Sequence, residues 1–366
     1  MNPLWWTQIQ AVVRLELRKT FFAKRGLWIY LLALAPVALF LTHSLVEIER
    51  HGSRRAMANQ MAHPITEQDF AAIQTGMTRD EVIAKLGEAP QDHTRSRRVR
   101  IDAHRVDQIE VETLRYSDGS SDFLVILDGG HVSGKGISSG VSFGQDSYVF
   151  AGVFQFFFIR LAVFFGCLGI FMNLFRGEML DKSLHFYLLA PMRREVLMVG
   201  KYLAGLLAAG VIFTTSAALQ MASMLIQFDG NTISHYLFQG DGFSQIAAYL
   251  GVTVLACVGY GSIFLAAGLL FRNPIVPAAI VLIWEAANPL LPAMLKKLSV
   301  IYYLKSLCPV SIPVDPGMPP LFALLVSNAD PISAYIAVFG LLCVSLAILT
   351  ACATGVRRIE INYTTE

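Results

Sequence analysis

Six stretches of this chain are each long and apolar enough to cross a bilayer, which takes about 20 residues. They are Leu27–Val46, Ala151–Phe175, Tyr202–Phe228, Gln245–Phe271, Pro274–Leu295 and Pro331–Thr354. The chain has 366 residues, 54% hydrophobic and only 15% charged, against about 25% charged in an average soluble domain. That balance excludes an ordinary soluble enzyme, a disordered chain, a collagen-like repeat and a small disulfide scaffold.

The charges are unevenly placed. Residues 47–150 carry 12 Lys and Arg and 16 Asp and Glu, about half of all the charges, in 104 residues. The other residues carry 17 basic and 11 acidic side chains. One soluble domain at 47–150 is therefore inserted into a membrane protein, between a first segment (1–46) and a second (151–366). Most of the remaining basic residues flank the spans, which argues against nucleic acid as a partner. Five cysteines are present, none in the soluble domain, and no disulfide framework or Cys/His metal spacing follows.

Arg14, Arg18, Lys19, Lys24 and Arg25 precede the first span and put the N-terminus in the cytoplasm. Arg176, Lys182, Arg193, Arg194 and Lys201 follow the second span, and Arg357 and Arg358 follow the last. The loop between the third and fourth spans has no Lys or Arg. Six spans with both ends inside fit this pattern, leaving 47–150 outside the cytoplasm. Residues 296–330 break it, because they should be external yet hold Lys296, Lys297 and Lys305. Ten of the 15 prolines fall between Pro274 and Pro331. This segment reads as a broken hairpin in the outer leaflet, which survives only against protein or a wet cavity. A seventh span is the rival, at the cost of placing the tail arginines outside. The first apolar run is too long for a signal peptide and lacks a cleavage site. Before it, residues 5–22 form a basic amphipathic stretch suited to the inner membrane surface.

Within 47–150 the pattern predicts a small α+β unit. Thr66–Gln74 reads as a short helix. Thr78-Arg79-Asp80-Glu81 spells a capping box for a second helix ending at Leu86, with Gly87 as its stop. Val111–Tyr116, Phe123–Leu127 and His131–Ile137 read as strands of a three-stranded antiparallel meander, joined by Ser117–Ser120 and Asp128–Gly130 turns. The run Gly76-Met77-Thr78 … Val82 … Leu86-Gly87-Glu88-Ala89-Pro90 resembles the SmpA/OmlA (BamE-like) family. That resemblance implies a periplasmic domain acting by contact, and a bacterial envelope with an inner membrane. Gly129–Gly136 imitates the start of a phosphate loop, but Gly136 stands where Ser or Thr should bind Mg²⁺. Arg95, Arg97, Arg98 and Arg100 fit either a solvated strand face or a site for anionic headgroups. His51, His63, His93, His104 and His131 have no ligand spacing.

The loop after the second span, Arg176 to Lys201, has mixed polarity, helix formers and a stop at Pro191. A short helix there, at about 176–191, leaves Leu184, Tyr187 and Leu188 needing cover, either from lipid or from a cytoplasmic subunit. The pattern of an acidic residue, a short helix, Leu188-Leu189-Ala190-Pro191-x-x-Arg194 and then Lys201 resembles the ABC-2 permease family of ATP-driven exporters. The likeness covers about 1–46 and 151–366. It implies a coupling helix that docks on an ABC ATP-binding subunit through Glu178, Asp181, Lys182, Leu184, Tyr187, Leu188, Pro191 and Arg193. It also implies a second permease chain, as homodimer or related heterodimer. This chain has no complete phosphate loop, so ATP and Mg²⁺ belong to the partner and no cofactor is expected here. The inserted domain is unusual for that family.

Two charges fall inside predicted spans, Arg160 and Glu285. A lone charge there costs at least about 2.5–3.5 kcal/mol, so each should face protein, water or the other. They read either as a polar lining of an export path or as a structural ion pair. Gly251, Gly259, Gly261 and Gly268 allow close helix packing. The expected protein is thus an α-helical polytopic membrane protein with an inserted α+β domain, the permease subunit of an exporter rather than an enzyme. The rivals are an ATP-driven mechanical or regulatory complex working through the external domain, with a possible envelope partner there, and a secondary transporter.

Overall fold

A computed structural model describes residues 3–22, 26–61, 63–102, 105–140, 142–180, 192–271, 275–312 and 332–357. The chain divides into two compact units, one made of 1–41 and 144–366 and the other of 42–143.

In the first unit α1 spans Pro3–Phe22 and α2 starts at Leu27 and runs to Gln60, crossing the unit boundary. The second long helix is α5 (Phe143–Val153), a π-helical stretch (Phe154–Val163) and α6 (Phe164–Leu180). Then come α7 (Arg194–Leu225), α8 (Gly242–Leu270), α9 (Ile275–Ala286), α10 (Val300–Leu307) and α11 (Ala334–Arg357). Among the described residues five helices are long and apolar enough to span a membrane: Leu27–Gln60, Phe143–Phe175, Arg194–Leu225, Gly242–Leu270 and Ala334–Gly355. The chain is therefore mostly helical and suited to a membrane.

The expected span Pro274–Leu295 is corrected. Its helix α9 stops at Ala286, a 3-10 turn follows at Asn288–Leu290, and a single helical turn at Ala293–Lys296 precedes α10. Twelve residues rise about 18 Å, short of a core about 30 Å thick. Pro289 and Pro292 remove backbone donors and stop α9 from continuing. Residues 313–331 of the expected broken hairpin lie outside the described part.

The helices of this unit meet through small residues and aromatic rings. A side chain at Gly261 would meet the Phe171 ring at 2.5 Å, and one at Gly259 would meet Val300 at 2.8 Å. Gly268 faces the Met172 backbone at 3.0 Å, whereas Gly251 has nothing within 4 Å. Phe154 and Phe150 both pack edge-on to Tyr249 of α8. Ser216 of α7 donates to the Ala33 carbonyl of α2, close to Pro36 where the ladder lacks a donor.

In the second unit α3 (Glu67–Ala71) and α4 (Arg79–Leu86) precede a sheet of order β1-β2-β3-β4, all antiparallel: β1 Gln91–Asp102, β2 Arg105–Ser117, β3 Ser121–Asp128 and β4 His131–Ser139. The three-stranded expectation is corrected to four. β1 reads Gln-Asp-His-Thr-Arg-Ser-Arg-Arg, with no apolar alternation, because it is an edge strand held mainly by its ladder to β2. Both capping boxes form, at Thr66/Asp69 and Thr78/Glu81. Gly129 and Gly130 take positive φ in the two-residue β3–β4 turn, the conformation such hairpins require.

One face of the sheet buries Leu114, Tyr116, Phe123, Val125, Leu127 and Val132 against Ile65, Phe70, Ile73, Val82 and Leu86. Lys135, in the phosphate-loop look-alike, donates to the carbonyls of Phe70, Ala71 and Ile73 at 3.2, 3.0 and 2.7 Å. Its ammonium ion therefore closes the C-terminus of α3. Arg79 ties α4 to Asp92 of β1 and Glu112 of β2 at 3.2 and 2.6 Å. On the other face Arg54, from the far part of α2, meets Asp122 at 3.1 Å, and Arg115 meets the same oxygen at 2.8 Å.

Candidate functional sites in the membrane unit

The first site is the foot of α7. Ile9, Val12 and Glu16 share one face of α1 and are buried. Val12 lies against Gly200, where a side chain would sit 3.0 Å from its Cβ. The Lys201 ammonium, fully buried, donates to Glu16 Oε1 and to the Leu174 carbonyl of α6, both at 2.7 Å. It also lies 5.4 Å from the Phe175 ring centre. Glu16 accepts a second, longer contact from Lys19 at 3.9 Å. A buried pair of this kind holds geometry more than it adds stability. It joins α1, α6 and α7 at the two ends of the loop that carries the coupling pattern.

Of the residues expected to contact an ATP-binding subunit, Arg193 is the N-cap of α7, and its guanidinium lies 4.9 Å from the Trp5 ring centre of α1. Glu178 is in the last turn of α6, with its side chain outside the described residues. Asp181, Lys182, Leu184, Tyr187, Leu188 and Pro191 also lie outside them. Sequence reasoning missed Glu16 and the buried role of Lys201. The signal was present, since Glu16 is the single acidic residue among the first 46.

The second site holds Arg160 and Glu285, the two charges expected within spans. Glu285 ends α9 and is buried. Its Oε1 accepts from Val300 N at 2.9 Å, and its Oε2 accepts from Ile301 N at 2.8 Å and Ser299 Oγ at 2.8 Å. These are the first amides of α10, which points its positive end at the carboxylate. Ser299, the N-cap residue, donates its hydroxyl to Glu285 and so makes no cap bond of its own. A buried charge is thus held by three donors, and the chain from 286 to 299 is closed into a loop.

Arg160 sits in the π-helical stretch, near the middle of the 33-residue apolar helix. Such stretches occur mostly as single-turn bulges, often at functional sites. Gln155 of the same stretch donates to the Val310 carbonyl at 3.1 Å. Arg160 makes no ion pair within 4.0 Å and no hydrogen bond among the described residues, and its Nη2 is buried without a partner. Its guanidinium lies 5.7 Å from the Phe156 ring centre. The two charges therefore form no ion pair.

Among the described residues no group of three His, Cys, Asp or Glu side chains is placed to hold a metal ion, and all five cysteines are free thiols. No protein-family model, no curated protein and no solved structure matches the chain.

Proposed function

We propose that this chain is the membrane-spanning permease subunit of an ATP-driven exporter of the ABC-2 type, in a bacterial inner membrane. Its ends lie in the cytoplasm and its inserted domain in the periplasm. ATP and Mg²⁺ are bound by a separate ATP-binding subunit, which docks on the 176–191 segment. A second permease chain, identical or related, completes the pathway. The observation that carries this reading is the clamp at the foot of α7. Arg193 on Trp5, Val12 on Gly200 and Lys201 on Glu16 tie the amphipathic α1 to the helix that leaves the coupling segment. A force applied to that segment would reach α1, α6 and α7 together.

The test is gentle purification of the tagged chain from its native membranes, followed by identification of what accompanies it and an assay of ATP turnover. A stoichiometric ATPase is expected, and Glu178→Arg or Leu184→Asp should abolish ATP-dependent activity while leaving membrane insertion intact. A chain that emerges alone and inert in several detergents, or variants that work normally, would sink the proposal.

A second reading has an observation of its own. α2 is a 34-residue helix with Pro36 inside it. In the 42–143 unit its far part is held to the sheet by Arg54 and Asp122. That anchor suits an ATP-driven complex that acts on the external domain and transports nothing. ATP turnover that is unaffected by any exported molecule, but lost on Arg54→Ala, would favour it.

A further inference from the structure

Among the described residues Arg160 makes no hydrogen bond and no ion pair, and its Nη2 is buried without a partner. Its natural counter-ion, Glu285, gives both oxygens to the start of α10. A buried guanidinium nitrogen without a partner calls for a ligand or an ordered water.

Its surroundings say what kind of ligand. Arg160 is partly exposed, on the same strip as the partly exposed Phe156 and Phe157 and the exposed Leu161. The strip lies mid-way along a membrane-length helix. A free ion does not reach such depth cheaply, whereas a headgroup carried on apolar tails can lie along the Phe and Leu side chains. Guanidinium binds oxyanions as a planar fork, and phosphate matches it.

We propose that Arg160 is the recognition residue of an intramembrane site for a phosphate-bearing amphiphile, whose headgroup takes the exposed edge of the guanidinium and whose tails lie on Phe156, Phe157 and Leu161. That this molecule is cargo rests on the exporter reading, but its binding does not, because binding needs neither ATP nor a partner chain. The two therefore fail separately.

The test uses the purified full chain in a neutral detergent, with phosphatidylglycerol titrated into the micelles, phosphatidylcholine as the uncharged-headgroup control and inorganic phosphate as the free anion. Native mass spectrometry and thermal unfolding report binding. Saturable binding of phosphatidylglycerol is expected, with at least tenfold weaker binding of phosphatidylcholine. Arg160→Gln should weaken phosphatidylglycerol at least tenfold. Arg160→Lys should fall between, keeping the charge and losing the fork.

Equal binding by wild type and Arg160→Gln overturns the site. Protection by inorganic phosphate alone, with no preference for the lipid, overturns the amphiphile. Should Arg160→Gln not fold, a photo-crosslinker in place of Leu161 gives an independent answer. Capture of phosphatidylglycerol at least fivefold over phosphatidylcholine supports the site, and equal capture overturns it.

Discussion

A carboxylate in an apolar segment keeps its charge by finding water, a cation or the amide end of a helix. Glu285 takes the third course, with three donors at 2.8–2.9 Å. Glu285→Gln replaces one oxygen with an NH₂ that meets other donors. It should lower stability in detergent by about 2–3 kcal/mol, read from thermal or denaturant unfolding. A loss below about 0.5 kcal/mol would mean the cap does not hold α10, given that hydrogen bonds to charged groups contribute about 1.5–3 kcal/mol. In the second unit Tyr116, wholly buried, donates to the Gly87 carbonyl at 3.1 Å, where α4 ends. Tyr116→Phe should cost about 1 kcal/mol. Burial holds the phenol's pKa up to about 12, whereas an unfolded tyrosine titrates near 10 (about its ordinary value). The folded state therefore binds the proton more tightly. Its contribution is whole below pH 10 and is lost as the pH rises from 10 toward 12. Wild type, but not Tyr116→Phe, should show that alkaline loss of stability.

At the scale of elements, close packing separates glycines that the sequence treats alike. A methyl at Gly261 meets the Phe171 ring at 2.5 Å, while at Gly251 it meets nothing within 4 Å. Gly261→Ala should destabilise the membrane unit by about 1–3 kcal/mol through overpacking. Gly251→Ala should be neutral or stabilising by up to about 1 kcal/mol, from helix propensity. Unfolding in detergent decides both. The same comparison shows what was legible in the chain. The Thr78 box and the Gly87 stop are local chemistry, spelled within ten residues, and so could be read. Hydropathy located five long helices but overran at Pro274–Leu295, because a window average is hardly moved by Asn288, Pro289 and Pro292. β1 showed only as the basic run Arg95–Arg100, read as a solvated strand face or a headgroup site, since an edge strand needs no apolar alternation and draws its order from β2, its partner in the ladder. The Glu16–Lys201 pair joins residues 185 positions apart, a distance at which no periodicity speaks. Arg160 and Glu285 were legible as costly charges, but not as one satisfied and one orphaned.

At the scale of the molecule, burial is graded across the spans. More than half of the apolar window is buried in the second, third and fourth, and less than a third in Leu27–Gln60 and Ala334–Gly355. The outer pair turns Leu31, Leu34, Leu39, Ile336, Phe339 and Leu346 outward, a surface for lipid or for another chain. Lys201 does the opposite work, drawing α1, α6 and α7 together at one buried point. Lys201→Met alone strands the Glu16 carboxylate and should cost about 3–5 kcal/mol. The double variant Glu16→Gln/Lys201→Met removes both charges and should recover most of that loss. A double variant as unstable as the single would show that Lys201 matters for its length and its bond to Leu174, not its charge.

The same pair has a history in time as well as a place. Chains grow at roughly 5–20 residues per second, so Glu16 emerges roughly 10–40 s before Lys201 exists. Glu285 waits only about 1–3 s for Ser299, Val300 and Ile301, which follow 14–16 residues later. The acid set in an apolar run is thus the one whose partners arrive almost at once. The acid that must wait belongs to an amphipathic helix, where water can keep it company until its lysine is made.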